Sequence, residues 1–135
     1  LFPTERSERQ KLSDHQLERL RSLSIAAMKQ CGRLYLPEIS VKPSLSSCIF
    51  ETEKVAALFG DLSSYAPSLI KCWPAVEHKK ELIFFVGPES GFSPKEEEAM
   101  KKMGIQGIAL HKNILRTETT AIAALTLLQH LRTYY

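Results

Sequence analysis

Two short segments of the sequence combine residue types that could bind a ligand and carry out chemistry. Residues 87–93 read Gly-Pro-Glu-Ser-Gly-Phe-Ser, and the two glycines would let the backbone approach a ligand closely or adopt a positive φ. Residues 115–120 place a cation, an acid and three hydroxyls at the start of a predicted helix. A helix cap explains Thr117 and Glu118, but it does not explain Arg116, because a cation at a helix N-terminus opposes the helix dipole.

Common phosphate and metal motifs are absent from the sequence. Residues 87–93 are not followed by Gly-Lys-Ser/Thr and do not form a Gly-x-Gly-x-x-Gly pattern, so the two glycines alone fit a tight structural turn as well as a ligand site. Cys31, Cys48 and Cys72 lie 17 and 24 residues apart and lack the close pairs of a zinc site. We interpret them as reduced thiols of a cytoplasmic protein, and we expect no metal.

The order of predicted strands and helices would bring the two segments together. Residues 82–86 are five consecutive apolar residues, which is typical of a strand buried on both faces of a parallel sheet. Residues 105–110 predict a second short strand, and residues 55–62 predict a third. Residues 87–93 directly follow the first of these strands, and the loop at residues 111–117, which leads into the second segment, follows the second. Ligands usually bind beyond the carboxyl ends of parallel strands. The alternation predicts an α/β fold with a mostly parallel sheet flanked by helices.

Three helices have clear start signals. A capping box, Ser13-x-x-Gln16, begins an amphipathic helix that ends at Gly32, and a second box at residues 93–96, with proline at the first helical position, begins a helix that stops at Gly104. Thr117 is the predicted N-cap of a long C-terminal helix. Residues 34–41 contain a proline and allow only a short or edge strand, and residues 44–53 allow one or two helical turns. The apolar stripes comprise Leu17, Leu20, Ala27, Met28 and Cys31 in the first helix and Ile122, Leu125, Leu128 and Leu131 in the last.

Length and composition fit one globular domain. The chain has 135 residues, of which 44% are apolar and 24% charged, and its longest apolar runs are far short of the roughly 20 residues of a membrane-spanning helix. A net charge of +3 is too small to indicate a nucleic-acid partner by itself.

The chain divides into a short arm and one domain. Residues 1–12 are charged without apolar periodicity and predict a solvated linker or arm, whereas residues 13–135 are predicted to form the domain. The absence of an initial Met suggests a fragment or a processed product.

Together, the motifs resemble the N3-uridine methyltransferases of small-subunit (16S) ribosomal RNA, which belong to the SPOUT superfamily. The similarity includes residues 87–93 and 114–120, Glu5-Arg6-Ser7, and residues 29–33 followed by 37–39. The resemblance implies an S-adenosylmethionine-dependent methyltransferase with a deep trefoil knot near its C-terminus, ribosomal RNA as substrate and a homodimer. The family normally has an N-terminal RNA-binding barrel, which this chain lacks.

The resemblance also implies roles for individual residues. Arg116 is expected to stabilise the anion at uracil N3, with Glu118 and Arg6 as further catalytic residues, and Arg6 and Arg33 are expected to contact RNA. The expected cofactor-binding residues are Leu62, Gly87, Pro88, Glu89, Gly91, Phe92, Leu110, Ile114, Leu115, Arg116, Thr117 and Thr119.

Two residues depart from the family pattern and leave alternatives open. Ser90 replaces the second of two adjacent glycines, and His111 stands where glycine is frequent. Both could lower cofactor affinity. The sequence is therefore also compatible with a noncatalytic RNA-binding module that has a methyltransferase-like fold. An unrelated nucleotide or phosphate binder is a third interpretation, which depends only on the glycines and the helix termini.

Overall fold

The computed structural model describes residues 1–8, 11–49, 52 and 55–134, and in them three parallel strands form a sheet in the order β2-β1-β3. Ala56–Phe59 pair with Leu82–Phe85 on one side of β1, and Leu58–Gly60 pair with Gln106–Ile108 on the other. The predicted α/β class with a parallel sheet is confirmed. The elements are α1 Asp14–Cys31, α2 Leu45–Ile49, β1 Ala56–Gly60, α3 Leu69–Val76, β2 Leu82–Phe85, α4 Pro94–Lys102, β3 Gln106–Ile108 and α5 Thr117–Tyr134.

Helices cover both faces of the sheet, which explains why its strands are apolar without alternation. On one face, Phe59 of β1 packs with Met100 of α4 and with α2. On the opposite face, Leu58 packs with Trp73 of α3 and Leu128 of α5. Phe59, Leu58 and Met100 are completely buried. A strand between two such layers buries successive residues on alternate faces, so both sets must be apolar.

Both predicted capping boxes are present. The Ser13 hydroxyl accepts the Gln16 N–H, and the Gln16 side chain accepts the Ser13 N–H in return at 2.9 Å. Ser93 and Glu96 form the same reciprocal pair at the start of α4. Gly32 takes a left-handed conformation, with φ of 69°, where α1 ends. These starts were readable because each depends on residues only three positions apart.

Helix α3 was not predicted, because Pro74 lies inside it. Proline removes one backbone donor from a helix and normally interrupts it, but here Leu69 and Trp73 are buried against the sheet and its other helices. Residues 34–41 form no strand. Of the predicted helical segment 44–53, Leu45–Ile49 are helical, while residues 50, 51 and 53 lie outside the described residues, as do residues 9 and 10 of the predicted arm.

The apolar stripe predicted for the C-terminal helix is only half correct. Leu128 and Leu131 are buried, but Ile122 and Leu125 are 68% and 70% exposed, and Ala124 is buried instead. Residues spaced by three drift about 60° around a helix at each step, so Ile122 and Leu131 point in nearly opposite directions. The series therefore has a core-facing end and a solvent-facing end.

Helix α1 has no buried residue at all. Leu17, Leu20 and Met28 are half-buried, whereas Ala27 and Cys31 are exposed. The helix was predicted correctly, but its apolar stripe is only partly buried in the described chain. None of the helices in the residues described combines the length and apolarity required to cross a bilayer.

Candidate cofactor site

Three loops meet at the carboxyl edge of the sheet because all three strands are parallel. They are residues 61–68 after β1, residues 86–93 after β2 and residues 109–116 after β3. Between them lies a cavity of about 690 Å³, which we call the edge cavity. Ligand pockets for cofactor-sized molecules typically measure ~300–1,000 Å³. The edge cavity is therefore large enough for a nucleoside cofactor.

The two segments that carry the predicted chemistry are in direct contact. The Thr117 hydroxyl donates a hydrogen bond to the Gly87 carbonyl at 3.3 Å, although the two residues are 30 positions apart. Thr117 is the first residue of α5 rather than its predicted N-cap, so its hydroxyl is used for this contact between loops. The two segments thus form one site.

The loop after β2 depends on glycine at position 91. Gly91 has φ of +71°, and its N–H donates to the Pro88 carbonyl at 2.8 Å, which closes a tight turn. A Cβ atom at position 91 would lie 2.9 Å from Cδ1 of Leu62 in the loop after β1. Leu62 therefore packs directly against the glycine, and both residues line the edge cavity.

Apolar and charged groups share the wall of the cavity. Leu62, Ile114 and Leu115 contribute apolar surface, and the acidic residues Asp61 and Glu89 also line it. The Asp61 Oδ1 accepts the Ser63 N–H at 2.8 Å. An apolar wall with a few polar groups is typical of a site that holds an organic ligand in one orientation. Among the described residues, no group of His, Cys, Asp and Glu could hold a metal ion.

Most of the predicted cofactor-binding residues line the edge cavity. Phe92 does not, because its ring is buried in the core, where it packs edge-on against Phe59. Arg116 and Thr119 are exposed beside the cavity without lining it. The predicted residues that do line the cavity are Leu62, Gly87, Pro88, Glu89, Gly91, Leu110, Ile114, Leu115 and Thr117.

Sequence reasoning overlooked most of the loop after β1. Asp61, Ser63 and Ser68 line the cavity, and only Leu62 from this loop was predicted. The rule that ligands bind beyond the carboxyl ends of parallel strands would have identified the loop, since β1 is the central strand. His111, which departs from the family pattern, is exposed and also lines the cavity, and its Nδ1 accepts the Asn113 N–H at 3.1 Å.

The predicted catalytic residues have different surroundings. The Arg116 side chain is exposed and makes no hydrogen bond within the described residues, whereas its carbonyl accepts from the N–H and hydroxyl of Thr120. Glu118 is exposed in the first turn of α5. The Arg6 side chain donates to carbonyls of the loop after β2, and Arg33 is exposed just after α1.

The chain is similar to several RNA methyltransferases. It is 29% identical over 113 residues to the ribosomal RNA small subunit methyltransferase E of Aquifex aeolicus, an alignment that covers 84% of this chain and 47% of that protein. A methyltransferase structure from Legionella pneumophila in complex with bound SAM has a TM-score of 0.81 and 26% identity, over 95% of this chain and 52% of that chain. The ribosomal RNA small subunit methyltransferase E of Neisseria gonorrhoeae, bound to S-adenosyl methionine, has a TM-score of 0.77 and 27% identity, over 95% and 53%.

The chain spans about half the length of these relatives. A family model described as an RNA methyltransferase domain matches residues 1–129, which is almost the whole sequence. This chain therefore belongs to the RNA methyltransferase domain family, as the paired loop motifs predicted.

Proposed function

We propose that the protein is an S-adenosylmethionine-dependent methyltransferase that modifies N3 of a uridine in small-subunit (16S) ribosomal RNA in the cytoplasm. The observation that carries the proposal is the edge cavity, where the two motif-bearing loops are joined by the Thr117–Gly87 hydrogen bond. The names of the related proteins, and the cofactor in two of the similar structures, support the same reaction.

The residues around the edge cavity suit S-adenosylmethionine. Apolar side chains such as Leu62 and Ile114 would pack against the adenine ring, and the backbone of residues 87–91 would supply hydrogen bonds to its edge. The carboxylates of Asp61 and Glu89 would complement the positive charges of the molecule. When bound, this cofactor supplies an activated methyl group on a sulfonium centre. The role of the chain is to hold that group in line with the acceptor nitrogen and to exclude water.

Arg116 is the proposed catalytic residue. Uracil N3 must lose its proton before it can accept a methyl group, and a nearby cation stabilises the resulting anion. The Arg116 guanidinium has no hydrogen-bond partner in the described part of the chain, and its two neighbours in sequence, Leu115 and Thr117, both line the edge cavity. It is therefore free to reach a base at the mouth of the cavity. Glu118 would orient Arg116 or accept the proton, and the exposed Arg33 would contact RNA phosphates.

We further propose that the protein acts as a homodimer. Ile122 and Leu125 expose most of their surface on α5, and Ile114, which lines the edge cavity, is 72% exposed. Apolar surface of this kind is typical of an interface. A second copy would cover it and would shield the cavity from solvent.

The trefoil knot that the resemblance implies is also part of the proposal. Its support is the hydrogen bond from Thr117 to Gly87, which joins the start of α5 to the loop after β2.

Substitution of Arg116 tests the proposed reaction. In the full-length protein, Arg116→Ala should lower kcat for methyl transfer to ribosomal RNA by about 100-fold or more, since removing one stabilising group for a developing anion typically costs ~10²–10³ in kcat. The affinity for S-adenosylmethionine, measured by calorimetry, should change less than about threefold. Arg132→Ala removes a cation from the other end of the same helix and is the matched control.

The alternative, a noncatalytic RNA-binding module, is favoured by one observation. His111 replaces a residue that is frequently glycine, and its side chain occupies part of the cavity wall. A folded protein that binds ribosomal RNA in a salt-sensitive manner, but binds no S-adenosylmethionine in the calorimeter, would support this alternative and exclude the methyltransferase.

A further inference from the structure

We propose that Arg6, together with Glu96, is a positioning residue for the loop after β2, residues 86–93. We call this segment the cofactor loop, and Arg6 holds it in its binding conformation. The inference rests on the proposed function, because it concerns the site that would bind S-adenosylmethionine. It assigns to Arg6 a role in fixing the loop after β2, which differs from the catalytic and RNA-binding roles expected from the sequence.

The guanidinium of Arg6 joins the two sides of Gly91. Its Nη1 donates to the Ser90 carbonyl at 2.8 Å and to the Phe92 carbonyl at 3.1 Å. Gly91 lies between these carbonyls with φ of +71°. A single charged donor bound to both carbonyls fixes the relative orientation of the two peptide groups around the glycine, and hydrogen bonds from charged donors are stronger than neutral ones. Arg6 thus stabilises the turn that faces the edge cavity.

Glu96 attaches the segment carrying Arg6 to the end of the same loop. Its Oε2 accepts the Ser93 N–H at 2.8 Å, as in an ordinary capping box, while its Oε1 accepts the Glu5 N–H at 2.9 Å. The second bond has no role in capping a helix, since Glu5 is 91 residues away. Glu96 is only 9% exposed, so a carboxylate in this position needs hydrogen-bond partners.

The segment before Arg6 is itself ordered. The Thr4 N–H donates to the Ser7 hydroxyl at 3.0 Å, and the Ser7 N–H donates to the Thr4 carbonyl at 3.2 Å. Thr4 is buried, and the nearby Phe2 packs edge-on against Phe85 of β2. Residues 2–7 therefore form a rigid support for the Arg6 side chain, although the sequence predicted a solvated arm.

Contacts from two directions hold the cofactor loop. Arg6 binds the Ser90 and Phe92 carbonyls, and Thr117 binds the Gly87 carbonyl from the start of α5. Gly87 and Gly91 of the loop line the edge cavity and have no side chains, so the surface that they present depends on how their peptide groups are oriented. Loss of the Arg6 contacts would leave Gly91 free to sample its many other conformations. The fraction of molecules with the binding conformation would then fall, and the apparent affinity would fall with it.

Cofactor and RNA affinities separate this role from an RNA contact. Arg6→Ala and Arg6→Lys should each weaken S-adenosylmethionine binding by about tenfold in calorimetry, because alanine has no donor and the lysine ammonium keeps the charge but ends one bond short of the position of Nη1. The KM for the cofactor should rise by a similar factor, while kcat at saturating cofactor should change less than about twofold. RNA affinity and its salt dependence should stay the same.

Arg132→Ala is the matched control. Arg132 also donates to two backbone carbonyls, those of Lys80 and Lys79, at 3.1 and 3.2 Å respectively, but neither carbonyl belongs to the edge cavity. This variant should lose similar hydrogen bonding and keep its cofactor affinity. If Arg6→Ala does not fold, the Arg6→Lys variant provides the comparison.

Two results would overturn the inference. Cofactor affinity equal to that of the unmodified protein in both Arg6 variants would exclude a positioning role. Unchanged cofactor affinity with weaker, less salt-dependent RNA binding in Arg6→Ala would assign Arg6 to a phosphate contact instead. If the unmodified protein binds no S-adenosylmethionine, the proposed function fails, and this outcome is distinct because it does not depend on Arg6.

Discussion

Substitution of Gly91 by alanine should separate the stability of the domain from the affinity of its site. Gly91 has φ of +71°, a conformation that costs an L-residue ~1–2 kcal/mol. The new Cβ would lie 2.9 Å from Leu62 Cδ1. Since Leu62 is 48% exposed, its side chain can move at a cost of ~0.5–1.5 kcal/mol if it leaves its preferred rotamer. The free energy of unfolding should therefore fall by about 1.5–3.5 kcal/mol.

Gly104→Ala provides the control for backbone strain alone. Gly104 has φ of +76°, and nothing lies within 4 Å of the Cβ that alanine would add. Its substitution should cost only the ~1–2 kcal/mol of the left-handed conformation. Gly104 follows α4 and does not line the edge cavity. Cofactor affinity should therefore be unchanged in Gly104→Ala.

The affinity for S-adenosylmethionine should fall only in Gly91→Ala. The loop can relieve ~1–2 kcal/mol of strain by leaving its native conformation. The fraction of molecules whose loop has the binding conformation then falls by about 5- to 30-fold, and the apparent Kd for the cofactor rises by the same factor. Urea denaturation would give the stabilities and calorimetry the affinities. Equal cofactor affinities in the two alanine variants would refute the argument that the loop conformation at Gly91 forms the site.

Two further substitutions test the exposed surface and the core. Leu125→Asp should convert the proposed dimer to a monomer in sedimentation experiments at micromolar concentration, because the charge would enter an apolar interface; an unchanged dimer would place the interface elsewhere. Trp73→Phe should change the free energy of unfolding by less than about 1 kcal/mol, since removal of a buried indole N–H that has no partner in the described residues offsets the cost of the smaller ring; a loss of about 3 kcal/mol would show that the N–H is satisfied.

Structural features that depend on neighbouring residues were predicted better than features that depend on contacts between distant residues. The capping boxes at Ser13 and Ser93 involve neighbours along the chain, and both were read correctly. Helix α3 was missed because Pro74 argues locally against a helix, while the burial of Trp73 that stabilises it involves distant parts of the chain. The buried face of α5 was predicted only in part for a similar reason. Packing against the sheet determines which face of the helix is buried, and it leaves Leu125 exposed.

The site was predictable where the chain carries a motif and not where only topology marks it. Residues 87–93 and 115–120 contain residue types that local structure does not explain, and they do meet at the edge of the sheet. Asp61 has no motif around it, and it reaches the cavity because β1 is the central strand. The contact of Arg6 with Ser90 joins residues 84 positions apart, so no pattern within either segment could reveal it.

Three arginines of the chain differ in their hydrogen-bond partners. Arg6 and Arg132 each donate to two backbone carbonyls and thereby connect distant segments. Arg116 lies at the N-terminal end of α5, where a cation opposes the helix dipole at a typical cost of ~0.3–1 kcal/mol, and no hydrogen bond within the described residues offsets this cost. An arginine that lowers stability and has no structural partner supports the proposed role of Arg116, since its neighbours Leu115 and Thr117 line the edge cavity.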